Sequence, residues 1–131
     1  MIEFHPTATA DYIAQSLYKV ENAGYTPVLA HIERYPDLFK NIKMIEQIIE
    51  GGAYIQVNAS SVEGRLGGGV KRQIIKMMKK GLVHFVATDA HSNRSRAPVP
   101  VAVLRANQRS IVIANTVSNN VWITGTITPP L

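Results

Sequence analysis

Across the first two thirds of this chain, seven segments alternate between strand-like and helix-like patterns. That alternation constrains the fold more than any single residue does. Residues 1–4 form a short apolar stub that reads as a strand. Residues 11–23 put Ile13, Leu17 and Val20 on one helical face and stop at Asn22-Ala23-Gly24. Residues 26–31 (TPVLAH) read as a buried strand. Residues 42–50 place Ile42, Ile45 and Ile49 at helical spacing before Gly51-Gly52. Residues 53–57 (AYIQV) read as a strand, and residues 70–80 as a helix with Val70, Ile74, Met77 and Met78 inward. Residues 82–88 (LVHFVAT) form the strongest buried-strand pattern. Strand and helix in strict alternation predict an α/β fold on a parallel sheet, whose strands are buried on both faces. From Pro98 onward the chain is rich in Val, Ile, Thr and Asn, and no period is legible.

Parallel α/β sheets carry their sites at the carboxyl ends of the strands. The polar residues follow that rule. Glu3 ends the first strand, His31 the second, Asn58 the third, and Asp89 with His91 the fourth. Asp89-Ala90-His91 sets a carboxylate and an imidazole on one short loop, a donor pair suited to zinc, manganese or iron. Taken alone, such a triplet is more often a capped turn beside a surface histidine. Four ligand-type residues at three strand ends, Glu3, His31, Asp89 and His91, are hard to obtain by separate accidents. A carboxylate such as Glu3 can bridge two metals in a hydrolytic site. Arg34 follows His31 by three residues and Arg96 follows His91 by five, with Arg94 a rival to Arg96. A guanidinium grips phosphate oxygens through a planar fork.

Other features exclude or redirect. The chain has no cysteine, which removes disulfides, thiolate metal sites and a Cys nucleophile and suits a reducing, cytoplasmic setting. No apolar run reaches the roughly 20 residues of a membrane span, and the N-terminus lacks the pattern of a secretory signal. The net charge of +5 is spread over small clusters without an aromatic stacking platform, which argues against nucleic-acid binding. Residues 58–72 contain Gly67-Gly68-Gly69 ahead of a basic helix start but no Walker A sequence, and read as a mobile loop. His84 inside LVHFVAT reads as a core histidine, and His5 is left without a role.

The segments IEF, PVLAHIERYP, AYIQVNASSVEGRLG and GLVHFVATDAHSNRSR, in that order, resemble the polymerase-and-histidinol-phosphatase (PHP) superfamily. Within it they are most similar to the bacterial manganese-dependent protein-tyrosine phosphatases encoded with capsule and exopolysaccharide genes. The resemblance covers residues 1–97 and leaves 98–131 as a divergent tail. It implies a distorted (β/α)7 TIM-like barrel with a multinuclear metal centre. Of the family's metal ligands, it places one each on Glu3, His31, Asp89 and His91, and it places phosphate-binding arginines on Arg34 and Arg96. The implied cofactor is Mn2+, with Zn2+ or Fe2+ as alternatives. The implied reaction is direct attack of a metal-activated water on phosphotyrosine, and the implied partners are a phosphotyrosine protein and a bacterial tyrosine autokinase.

The family opens with a His-x-His motif that this chain lacks, and Ile32 and Ser92 replace a proline and an asparagine of its pattern. The expectation is therefore a partial barrel whose N-terminal strands are missing, with edges that invite self-association. The competing functions are another PHP phosphoesterase, such as a histidinol-phosphate phosphatase, and a catalytically inactive domain that binds a partner.

Overall fold

In the computed structural model, the backbone is described for residues 1–90, 111–117 and 120–127, and side chains for residues 1–87. The chain divides into two compact units, Met1–Gln56 and Val57–Leu131. Both are mixed α/β with parallel strand pairing, as the alternation predicts.

In the first unit, helix α1 spans Ala10–Asn22. Thr9 caps it by accepting from the Tyr12 N–H, and the Asp37 carboxylate accepts from the Ala10 N–H at 2.8 Å. The cap and the carboxylate satisfy amides that a helix start leaves orphaned. Ile13 and Leu17 are fully buried, and Val20 is half-buried. Strand β1 is only Val28–Leu29, shorter than the six-residue reading of TPVLAH. It pairs in parallel with β2 (Tyr54–Asn58), Val28 opposite Tyr54 and Leu29 opposite Ile55. On its other side Ile2 makes a parallel bridge to Leu29. The expected first strand is therefore a single bridge.

The β1 strand is short because the chain turns at once. His31 takes a left-handed backbone (φ 35°, ψ 61°), followed by a 3-10 turn over Ile32–Arg34 and helix α2 over Pro36–Phe39. Pro36 at the first helical position needs no N–H partner and presets φ. Neither short helix is legible in the sequence as a period, since each is about one turn long. Helix α3 spans Ile42–Gly51, capped by the Asn41 side chain accepting from the Met44 N–H. Its buried residues are Ile45 and Ile48; Ile42 and Ile49, expected inward, are half-buried. Leu29, Ile32, Tyr35, Leu38, Ile45 and Ile55 join Ile13 and Leu17 in the core.

In the second unit, residues 58–72 are not the mobile loop expected. Helix α4 covers Ala59–Glu63, ends at a left-handed Gly64 (φ 101°), and is followed by helix α5 over Gly68–Lys79. The glycines serve as helix stop and start: a positive φ at Gly64 and Gly67 costs nothing without a Cβ. Helix α5 buries Ile74, Met77 and Met78 and leaves Val70 half-buried. Strand β3 runs over Phe85–Ala90, starting three residues and ending two residues later than expected. It pairs in parallel with β4 (Ile111–Val117), which pairs antiparallel with β5 (Asn120–Ile127). These last strands lie in the stretch without a legible period; their Val, Ile and Thr content suits a pleated surface. Among the described residues no helix is long and apolar enough to cross a membrane.

Candidate metal and phosphate site

A carboxylate, an imidazole and a guanidinium meet in the first unit, each delivered by a local turn of the backbone. Glu3 follows the Ile2 bridge, whose N–H donates to the Val28 carbonyl and whose carbonyl accepts from Ala30. That pairing brings Glu3 beside the end of β1. The left-handed turn at His31 then aims the imidazole at it: Nε2 of His31 lies 2.7 Å from Oε1 of Glu3. His31 is buried, and the Glu3 side chain is 64% exposed, so the pair reaches from the core to the surface. Arg34 brings Nη1 to 3.5 Å from the same imidazole nitrogen. With its proton on Nε2, His31 donates to Glu3 and that nitrogen has no lone pair to offer Arg34. With its proton on Nδ1, the Nε2 lone pair is open to a cation. The shorter Glu3 contact outweighs the Arg34 one.

Tyr35 braces this arrangement. Its hydroxyl accepts from the Phe4 N–H at 3.0 Å, linking the residue after Glu3 to the segment that follows His31. Its ring stacks on His31 at 6.4 Å and 30°, and meets Phe4 edge-on at 6.2 Å. Burial pushes the Tyr35 phenol pKa upward, so the hydroxyl stays protonated at neutral pH. Gln56 is buried in β2, and its side-chain oxygen accepts from the His31 N–H. Glu33 is buried beside Arg34. Sequence reading missed all three. The signals were a polar residue inside the apolar run AYIQV and the aromatic and acidic residues of IERYP.

A carboxylate oxygen and an imidazole nitrogen at 2.7 Å suit one divalent cation. Two ligand atoms each ~2.1 Å from a metal stand about 3 Å apart. Among the described residues no group of three such side chains gathers around one point. The other two expected ligands fall beyond the described side chains. Asp89 sits in β3 in register with Thr116, and only its backbone is described. His91, Arg94 and Arg96 lie outside the described residues. His5 is engaged locally, its Nδ1 2.8 Å from the Thr7 hydroxyl. His84 lies one residue before β3, half-buried, and burial pushes its pKa down.

The chain is similar to known proteins over most of its length. The tyrosine-protein phosphatase YwqE of Bacillus subtilis is 33% identical over 96 residues, covering 73% of this chain and 38% of its own length. The tyrosine-protein phosphatase CpsB of Streptococcus pneumoniae is 36% identical over 103 residues, covering 75% of this chain and 42% of its own. A crystal structure from a description of YwqE and CpsB as metal-dependent tyrosine phosphatases superposes with a TM-score of 0.63 at 33% identity. It covers 73% of this chain and 39% of that one. The chain thus spans about two fifths of the length of the curated relatives it matches. A family model described as capsular polysaccharide synthesis, CpsB/CapC, matches residues 1–112, and the chain belongs to that family.

Proposed function

We propose that this chain carries part of the catalytic centre of a metal-dependent protein-tyrosine phosphatase acting in capsular or exopolysaccharide synthesis. The observation that carries the reading is the convergence of Glu3, His31 and Arg34, two metal-type donors with a phosphate-type donor beside them. Asp89 and His91 complete the proposed ligand set, and Arg96 supplies a second phosphate-binding fork. The proposed metal is Mn2+, the proposed enclosing fold is the distorted (β/α)7 barrel, and residues 98–131 stand as a tail to the phosphatase domain. The proposed substrates are phosphotyrosine proteins of the cytoplasm, a tyrosine autokinase among them.

When bound, a divalent metal supplies charge to phosphoryl oxygens and acidifies water at neutral pH. The chain's own residues do the rest. To bind a metal His31 must present a neutral imidazole, and its buried ring is stacked on Tyr35. Glu3 places a carboxylate oxygen against the same nitrogen. Arg34 brings a fixed positive charge beside His31, and its planar fork would orient the oxygens of a phosphoryl group and offset the charge they gain in the transition state. With no cysteine available, the chain offers no thiolate for a covalent phosphoenzyme.

The test is Mn2+ calorimetry combined with Mn2+-dependent hydrolysis of a phosphotyrosine peptide. Glu3→Ala, His31→Ala and the Asp89→Ala/His91→Ala pair should each weaken Mn2+ binding. Arg34→Lys should leave Mn2+ affinity unchanged and lower turnover about 100-fold, the usual cost of one lost transition-state donor. Equal Mn2+ affinity in the parent chain and the ligand variants overturns the reading.

A further inference from the structure

We infer that Gln56 is a positioning residue for His31: its side-chain oxygen holds the His31 N–H and so fixes the left-handed turn that aims the imidazole at Glu3. The inference rests on the metal-site reading above and deepens it.

His31 is the one non-glycine residue with positive φ among the described residues. A side-chain-bearing residue in that region is sterically strained, and such strain persists only where the surroundings over-determine it. The β1–β2 ladder shows what the surroundings are. Its register runs Val28 with Tyr54 and Leu29 with Ile55, then stops. Ala30 turns its N–H away from β2 to the Ile2 carbonyl. The next N–H, that of His31, is on the β2 side, where a longer strand would give it a backbone carbonyl. The Gln56 side chain supplies that acceptor instead. The His31 carbonyl is held as well, accepting from the Arg34 N–H at 2.9 Å. Both ends of the strained residue are thus fixed, one by the 3-10 turn and one by a side chain from a different strand, 25 residues away.

Chemistry explains the choice of glutamine. An apolar residue is the ordinary occupant between Ile55 and Val57, and a buried amide is costly without partners. A shorter asparagine lacks a methylene of reach. A neutral amide also accepts the N–H without adding a carboxylate that would compete with Glu3 for the cation.

The test compares Gln56→Met, similar in length but without an oxygen acceptor, with Gln56→Glu, which keeps the acceptor. Two readouts are taken: Mn2+ affinity by calorimetry, and hydrogen exchange of the His31 amide by nuclear magnetic resonance without metal. Gln56→Met should unprotect the His31 amide and weaken Mn2+ binding about 10- to 100-fold, as loss of groups that orient metal ligands does. Gln56→Glu should retain amide protection. A parent chain that binds no Mn2+ ends the metal reading and the positioning role with it. A parent chain that binds Mn2+ while Gln56→Met binds it equally well, or keeps its His31 amide protected, overturns the inference alone. Equal loss of amide protection in both variants also overturns it, since the acceptor would then be irrelevant.

Discussion

A histidine outside the proposed site shows how far environment alone sets the behaviour of a residue. His84 is half-buried ahead of β3, and burial disfavours its charged form, so its pKa lies below the usual value. In the unfolded chain it titrates at about 6.5. As pH falls below that value the unfolded state takes up the proton first, so folding stability is full above it and is lost through the window down to the lower folded pKa. The loss should shrink in His84→Gln, which has no proton to take up. The measurement is the difference in urea midpoint between parent and variant from pH 8 to pH 5. A constant difference across that range would show that His84 is not the group responsible. His31 is the opposite case. Its value to the molecule lies in a backbone angle and a 2.7 Å contact that no composition or period encodes.

Among the elements, α1 depends on a residue far along the chain. The Ala10 N–H is an orphan donor of the first turn, and the carboxylate that takes it belongs to Asp37 in α2. The negative charge also suits the positive end of the helix. Asp37→Ala should therefore destabilise the chain by about 1 to 2 kcal/mol, read as a lower urea midpoint at unchanged slope. Asp37→Asn should recover part of the loss, since an amide oxygen accepts but carries no charge. No recovery would assign the effect to charge alone. Element boundaries were the least legible part of the sequence. The α1, α3 and α5 helices announce themselves by apolar spacing, whereas the 3-10 turn, α2 and α4 are too short for any period to appear.

For the molecule as a whole, metal should act as a ligand of the folded state. A metal that binds the native chain and not the unfolded one adds about 2.7 kcal/mol at a concentration 100 times its Kd. Mn2+ should therefore raise the Tm of the parent chain and leave that of His31→Ala nearly unmoved; an equal rise in both would place the bound metal elsewhere. The sequence by itself determined the α/β class and the order of the main elements, because periodicity is a local property written into neighbouring residues. It also carried the family, since the IERYP and VEGRLG segments lie within the matched residues. Only the tertiary structure decided that β1 stops after two residues, that His31 turns left-handed there, and that Tyr35 and Gln56 hold it in place. Those facts depend on contacts between residues 25 and 31 positions apart, and no local pattern can specify which distant side chain will satisfy an orphaned N–H.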